Sequence, residues 1–315
     1  MSSSCKPRVH LWIYNHPFFG ISDQIEYFIS ALKQNGYPVS VGRQPRKSSL
    51  NIVIENFSDQ TINRLMSYCR LERKRVGVIM TEHLDFEDQI LIHGDPLWRD
   101  NDYMNPAIQV ARIRCLLEAL PYIRSFFVLG DVPELKNSST MIPGMDIRAI
   151  PFPDLDFVST ENVDSDLLFT GIITEHRREI ITLLRSGNIS VVSPGRFVSR
   201  KRRDTMNRST KLILNVPQRQ DWKWLSLMRT IAGLRAGKAT VSIGTRDQSK
   251  IAACTYQLDI TDSNWQDTLA DYVDNWPVLY ETAYRNYTAM AQEFKESKPF
   301  PNDLFAFWSI TDRLS

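Results

Sequence analysis

The tripeptide Thr-Glu-His occurs twice in the chain, at residues 81–83 and 174–176. Each copy follows a short apolar segment, VGVIM or LFTGII, and precedes a charged stretch. A carboxylate or an imidazole at the end of a buried strand can take a proton from a hydroxyl group. Glu82 and His83 are therefore candidate catalytic bases. A polar loop in which Thr81 caps a helix is the alternative interpretation.

Two arginines follow the second copy, in the first turn of a predicted helix. Arg177 and Arg178 would lie where the helix dipole disfavours cations, and a bound diphosphate would offset that repulsion. Gly171 and Thr174 precede them, at the end of the predicted strand LLFTGII. The alternative is a pair of solvated surface arginines.

Two loops offer further polar groups. The segment YNHPFFGIS places His16 and Gly20 in a turn between a strand and a helix, where backbone N–H groups could bind a phosphate or a sugar. An ordinary turn is the alternative, because one glycine is not a dinucleotide-binding fingerprint. A second polar pocket could form within residues 211–244. Its candidate members are Asn215, Gln218, Arg229 and Ser242.

The segment RFVSRKRRD (residues 196–204) is rich in arginine and lysine. Such a segment can bind phosphate, an acidic lipid surface or nucleic acid. A mobile, solvated loop is the alternative interpretation.

Alternating strands and helices are predicted to position these residues. Apolar runs such as VHLWIY and SFFVLG are typical of buried strands, and the apolar spacing in residues 22–34 and 107–119 predicts helices. An acidic, proline-containing stretch at residues 150–166 separates this half from a second one, in which the alternation restarts. The pattern predicts two Rossmann-like α/β domains, residues 1–155 and 164–299, facing across a cleft. Ligands would bind there, at the carboxyl ends of parallel strands.

Composition excludes several classes of protein. The length of 315 residues suits two domains, and a net charge of +2 creates no overall field that demands nucleic acid or a membrane. No apolar run reaches the roughly 18 residues that span a bilayer, and the first ten residues lack the apolar core of a signal peptide. The scattered cysteines match no zinc-ligand spacing or disulfide framework, so we expect no metal and a reducing, cytoplasmic setting. They are Cys5, Cys69, Cys115 and Cys254.

The order of segments in the second half resembles the C-terminal domain of group 1 glycosyltransferases, which have the GT-B fold. LLFTGIITEHRREIITLLRSG is similar to the family's strand that ends in glycine before a helix with paired arginines. RSTKLILNV and then SLMRTIAGLRAGKATVS resemble its strand, asparagine, loop, Met-Arg helix and following strand. Within this group, the sequence resembles the spore-maturation-type (CgeB-like) glycosyltransferases. The resemblance covers about residues 165–295, and the first half matches only at the level of the fold.

This resemblance implies a nucleotide-diphosphate sugar as the donor substrate, held mainly by the second domain, with no metal and no other cofactor. It implies a glycan, a glycolipid or another hydroxyl compound as the acceptor, with peripheral membrane contact as an option. FPNDLFAFWSITDRLS (residues 300–315) is a candidate for the helix that crosses back to the first domain in such folds. With Gly20, which comes from the turn in the first half, the candidate donor-binding residues are Gly20, Gly171, Thr174, Arg177, Arg178, Asn215, Gln218, Met228 and Arg229.

The sequence departs from the family at two positions. Retaining members often carry two glutamates eight positions apart, and the matching residues here are Trp224 and Ala232. Their absence favours an inverting reaction, in which the first domain supplies the base. Glu82 is the first choice for that base, His83 the second and Asp131 the third.

Four functions remain open at this point. A glycosyltransferase is the leading hypothesis. The others are a sugar-nucleotide epimerase of the same architecture, a non-catalytic subunit that binds a nucleotide or glycan, and a glycosyltransferase that modifies nucleic acid.

Overall fold

A computed structural model describes residues 6–16, 18–86, 89–99, 105–131, 135, 144–159, 162–195 and 198–314. The chain divides into two compact units. Unit 1 comprises Met1–Pro153 and Phe294–Ser315, and unit 2 comprises Asp154–Glu293. Each unit is a Rossmann-like α/β structure around its own parallel sheet, so the predicted fold class is confirmed.

Unit 1 is built on a six-stranded sheet with the order β2-β1-β3-β4-β8-β9, and all its pairings are parallel. β1, β3 and β4 are completely buried, because helices cover such a sheet and its strands must be apolar on both faces. The strands are β1 (Val9–Trp12), β2 (Val39–Gly42), β3 (Leu50–Ile54), β4 (Val76–Ile79), β8 (Ile123–Leu129) and β9 (Ile147–Ile150). The helices that precede β9 are α1 (Phe18–Gln34), α2 (Asp59–Glu72) and α3 (Pro106–Ala119).

A small antiparallel sheet lies between β4 and α3 in the chain. It consists of β5 (Leu84–Asp85), β6 (Leu91–Ile92) and β7 (Asp95–Pro96). His93 and Gly94 form the turn between β6 and β7, and both have positive φ angles, 51° and 83°. The strands are only two residues long, which is too short for a periodic sequence signal.

Unit 2 has a five-stranded parallel sheet with the order β11-β10-β12-β13-β14. Its strands are β10 (Ser165–Leu168), β11 (Val191–Val192), β12 (Thr210–Asn215), β13 (Thr240–Ile243) and β14 (Thr255–Leu258). The following helices are α4 (Glu175–Ser186), α5 (Arg200–Arg208), α6 (Leu227–Arg235), α7 (Trp265–Asp274) and α8 (Trp276–Ser297). No helix among the described residues is long and apolar enough to cross a membrane.

The last helix, α9 (Asn302–Leu314), completes the core of unit 1. Its side chains Phe305 and Trp308 are fully buried. The Phe305 ring stacks on that of Phe127 in β8, with the ring centroids 5.7 Å apart. Removing two large aromatic side chains from water makes this helix a part of the core rather than an appendage.

The structure differs from the sequence predictions at two places in unit 2. β10 ends at Leu168, so Gly171 lies in the loop after the strand rather than inside it. The basic segment, for which a solvated loop was the alternative, forms helix α5, because the Ser199 side chain accepts a hydrogen bond from the Arg202 N–H and caps it. Arg196 of that segment lies outside the described residues.

Candidate active site

Two glutamates stand at the carboxyl ends of neighbouring strands in unit 1. Glu55 follows β3 directly, and Glu82 lies three residues beyond the end of β4. Arg112 of α3 lies between them. It donates to the Glu55 carboxylate through Nε (2.8 Å) and Nη2 (2.5 Å), and to Glu82 Oε1 through Nη1 (2.9 Å). All three residues are buried.

His93, in the turn of the small sheet, contacts the other oxygen of Glu82. Its Nε2 is 2.5 Å from Glu82 Oε2. The carboxylate is the acceptor, so Nε2 carries the proton and Nδ1 is the accepting nitrogen of the neutral ring. The His93 side chain keeps 14% of its surface exposed. We call Glu55, Arg112, Glu82 and His93 the charge cluster.

The pKa values of the two carboxyl groups in the charge cluster are shifted in opposite directions. Burial by itself raises the pKa of Glu82, but the Arg112 charge and the hydrogen bond from His93 outweigh it and lower that pKa to about 2. Burial raises the pKa of Glu55 in spite of the opposing charge of Arg112. One guanidinium therefore faces two buried carboxyl groups, and Glu82 is the one that also contacts His93.

The predicted catalytic residues occupy different environments in this geometry. Both oxygens of Glu82 accept hydrogen bonds, and a carboxylate with a pKa of about 2 has little affinity for a proton at neutral pH. The His83 ring lies beside that of His93, with 5.2 Å between the centroids. The backbone carbonyl of His83 accepts a hydrogen bond from the backbone N–H of His93 (2.8 Å). Asp131 follows β8 and lines a separate cavity of about 750 Å³.

The sequence interpretation missed three members of the charge cluster. Glu55 had a usable signal, since it directly follows the buried run LNIVI. His93 and Arg112 had none, because a two-residue strand pair and the orientation of α3 bring them to the site. Gly20, the predicted phosphate contact of unit 1, lies inside the first turn of α1, where an added Cβ would be 3.0 Å from the His16 ring. Pro17 of that turn lies outside the described residues.

In unit 2 a row of neutral polar side chains crosses the sheet. Asn215, Ser242 and Gln257 are register partners on β12, β13 and β14. Asn215 Nδ2 donates to Ser242 Oγ (2.7 Å), and the Thr245 hydroxyl lies 2.7 Å from Ser242 Oγ and 2.8 Å from Gln257 Oε1. Arg229 ends the row by donating from Nη1 to Asn215 Oδ1. We call these five residues the polar row.

The guanidinium of Arg229 lies against the backbone of Gly171. It sits over the Phe169 ring, 5.0 Å from the centroid, and a Cβ added to Gly171 would come within 2.9 Å of its Nη2. Only glycine therefore allows this approach. A cation is thus held beside bare backbone near the carboxyl ends of the strands, which suits a phosphate group.

Arg177, a predicted donor-binding residue, is buried, and its guanidinium donates hydrogen bonds to backbone carbonyls. Its Nε donates to the Val216 carbonyl and its Nη1 to the Ile172 carbonyl, each at 2.9 Å. It joins the loops that follow β12 and β10, which is a structural role. Arg178, in the same turn, is exposed.

Three other predicted residues lie around these loops. Thr174 caps α4, since its hydroxyl accepts from the Arg177 N–H (3.4 Å), and it donates to the Gln218 carbonyl (2.7 Å). The Gln218 side-chain oxygen is buried and makes no hydrogen bond within the described residues. Met228 is half-buried beside Arg229 in α6. Gln218 therefore offers an acceptor to a ligand hydroxyl or N–H.

A cavity of about 190 Å³ lies next to these groups, lined by residues that the sequence interpretation did not select. It is basic, with His176, Lys223 and Arg246 in its lining. Arg246 forms an ion pair with Asp259 (2.6 Å), and its backbone N–H donates to the Lys223 carbonyl (3.0 Å). Burial lowers the pKa of His176.

Solved structures with a similar architecture include several glycosyltransferases. For S. aureus TarM the sequence identity is 11% and the TM-score 0.41, over 85% of this chain and 55% of that one, so the chain spans about half the length of TarM. For an α1,3-fucosyltransferase the values are 12% and 0.39, over 99% and 92% of the two chains. For the T4 phage β-glucosyltransferase with UDP and Mn²⁺ they are 8% and 0.49, over 92% and 98%. No protein-family model and no curated protein sequence matches the chain.

Proposed function

We propose that the protein is a glycosyltransferase that moves a sugar from a nucleotide-diphosphate sugar to an acceptor hydroxyl. The observation that supports this best is the pairing of Glu82 with His93 in the charge cluster. A carboxylate that orients an imidazole and balances its positive charge is the arrangement of a general base. The polar row of unit 2 supplies the matching anion site through Arg229.

In this proposal His93 takes the proton from the acceptor. The acceptor oxygen attacks the anomeric carbon, its proton moves to Nδ1 of His93, and the bond from that carbon to the diphosphate oxygen breaks. Glu82 holds the ring in the correct tautomer and balances the imidazolium. A single displacement of this kind inverts the anomeric centre.

The leaving diphosphate would be held in unit 2 without a metal ion. Arg229 offers a cation beside the bare backbone of Gly171, and Gln218 offers a buried acceptor for a donor hydroxyl. The acceptor class in the proposal is a glycan or glycolipid, in a cytoplasmic enzyme of the spore-maturation type.

Two substitutions in the charge cluster test the proposal. A thermal-shift screen of nucleoside diphosphates and their sugars first identifies the donor, since a bound ligand stabilises the native state. We then expect His93→Gln and Glu82→Gln to lower the transfer rate by roughly 10²- to 10⁴-fold while donor affinity stays unchanged. His83→Gln is the matched control and should lose much less. Full transfer activity in both cluster variants would contradict the proposal.

The epimerase alternative is separated by the acceptor requirement. A transferase consumes the donor only when an acceptor hydroxyl is present, apart from slow hydrolysis. We therefore expect a change in the donor sugar, followed by NMR, to depend on the acceptor. Stereochemical conversion of the sugar without any acceptor would favour an epimerase.

A further inference from the structure

Basic residues precede three neighbouring strands of the unit 1 sheet. Lys6 and Arg8 lie just before β1, Lys47 lies three residues before β3, and Lys74 lies two residues before β4. The three strands are adjacent and parallel, so their amino ends meet at one edge. That edge is opposite to the one that holds the charge cluster.

These four cations line one concave cavity of about 490 Å³. Helix α9 contributes Ser309 and Asp312 to the lining. Asp312 is the single carboxylate among the lining residues, and its nearest cation is Lys74, with 3.8 Å between Nζ and the carboxylate oxygen. Glu72 lies beside the cavity and pairs with Lys47 at 2.7 Å. The cations therefore outnumber the carboxylates by four to two.

The structure of unit 1 accounts for two of these cations. Lys6 Nζ donates to the Asn35 carbonyl (2.6 Å) at the end of α1, and Lys74 Nζ donates to the Lys47 carbonyl (2.6 Å). Such contacts near helix ends are a normal structural use of lysine. The Arg8 guanidinium is exposed and makes no hydrogen bond or ion pair within the described part of the chain. The Lys47 side chain is 77% exposed. Lys47 is held by its ion pair with Glu72, but an exposed ion pair is weak, so Lys47 as well as Arg8 can turn toward a ligand.

We propose that this cavity binds a small phosphorylated sugar compound, either a sugar phosphate or a nucleotide. Arginine and lysine donate to phosphate oxygens, and arginine does so as a two-pronged donor. The carboxylate of Asp312 accepts from hydroxyl groups, which a sugar offers and inorganic phosphate at neutral pH offers poorly. The concave shape between three strands and α9 suits a small ligand better than an extended polyanion. The proposal is independent of the transfer activity, because the residues belong to the other edge of the sheet.

The test measures binding to the full chain by calorimetry, with ribose 5-phosphate, UMP and inorganic phosphate as ligands. We expect the double variant Arg8→Gln/Lys47→Gln to bind the two sugar-containing ligands at least tenfold more weakly than the wild type. The control Lys201→Gln/Arg202→Gln removes two exposed cations from α5 and should stay within twofold. Asp312→Asn should reduce the preference for ribose 5-phosphate over inorganic phosphate. Unchanged melting temperatures in both double variants would show that they fold.

Several outcomes would overturn the proposal. Equal binding by wild type and Arg8→Gln/Lys47→Gln would do so. Binding that is lost in Arg229→Gln instead would place the ligand in unit 2. Binding of duplex DNA or anionic vesicles through Arg8 and Lys47, without binding of the small ligands, would replace a small ligand with a macromolecular surface. Weaker binding of UMP alone, with ribose 5-phosphate unaffected, would show that the cavity does not recognise the phosphorylated sugar.

Discussion

The carboxyl ends of the two sheets carry opposite kinds of polar chemistry on the same topology. In unit 1 the charge cluster is buried and ionic, with Arg112 between two glutamates and His93 at its end. In unit 2 the polar row is neutral from Gln257 to Asn215, and its single charge, Arg229, stands at its end.

This difference shows how one framework serves two tasks. A parallel sheet places side chains from neighbouring strands side by side, whatever their chemistry. The buried charges of unit 1 hold the His93 imidazole against Glu82. The neutral row of unit 2 holds the Arg229 cation without a carboxylate among its members. In the proposed reaction, proton transfer and anion binding therefore fall to different sheets.

The largest expected effect comes from removing the shared cation of the charge cluster. Arg112→Met leaves two buried carboxylates without their partner, and we expect it to lower the free energy of unfolding by about 3–5 kcal/mol. Arg229→Met is the matched control in the polar row. It loses a hydrogen bond to a neutral amide, which costs about 1 kcal/mol. Urea denaturation measures both, and hydrogen exchange assigns each loss to a unit. Equal losses would break the comparison.

Lowering the pH should destabilise the charge cluster of unit 1 through Glu82, whereas the polar row of unit 2 contains no carboxylate. The pKa of Glu82 is lowered from 4.5 to about 2, so its contribution to stability is present above pH 4.5 and is lost as the pH falls toward 2. We expect about 2–3 kcal/mol from this group, and Glu82→Gln should remove that part of the pH dependence. Glu55, whose pKa is raised, acts in the opposite direction and is retained in both proteins. An identical acid profile in Glu82→Gln would contradict the assignment.

Measuring donor affinity tests the role of the polar row in unit 2 against that of the charge cluster in unit 1. Arg229→Gln should weaken binding of the donor, or of its nucleoside diphosphate product, by about tenfold, equivalent to about 1.4 kcal/mol. His93→Gln should leave that affinity unchanged, because it changes the proton acceptor only. Calorimetry with the diphosphate identified in the ligand screen measures both. Unchanged affinity in Arg229→Gln would show that the polar row does not bind the diphosphate.

The smallest expected effect concerns the exposed arginine of α4. Arg178→Ala should weaken donor binding by only a few-fold, because an exposed charge near the helix start acts through water. Its stability should not change, since the side chain is not buried. Donor affinity equal to that of the wild type would show that Arg178 is a solvated surface residue without a role in donor binding.

The strands that the sequence predicts well are those that are buried on both faces. Apolar runs such as VHLWIY and LNIVIEN locate β1 and β3, because a parallel sheet covered by helices needs continuous apolar strands. The Thr-Glu-His at residues 81–83 does lie at the carboxyl end of β4, and its Glu82 belongs to the charge cluster. Asn215 and Arg229, chosen from one polar segment, do lie in contact in the structure.

The remaining parts of the site depend on tertiary structure. His93 reaches Glu82 through a turn between two-residue strands, and Arg112 does so through the packing of α3. Neither leaves a periodic pattern. Arg177 illustrates a second difficulty, because an arginine in a first helical turn can donate to the protein's own carbonyls as readily as to an anion. Sequence alone does not distinguish these two uses.

The position of α9 in the core of unit 1 affects how the chain is made. The sheet of unit 1 is synthesised before unit 2, yet two aromatic residues that complete its core, Phe305 and Trp308, are synthesised after unit 2. Unit 2, encoded between the two parts, is complete as soon as Glu293 has emerged. Unit 2 can thus fold before unit 1 is complete. During that time the face of β8 around Phe127 stays uncovered, because helix α9 with Phe305 has not yet been made. A nascent chain in this state would expose apolar surface to chaperones throughout the synthesis of unit 2.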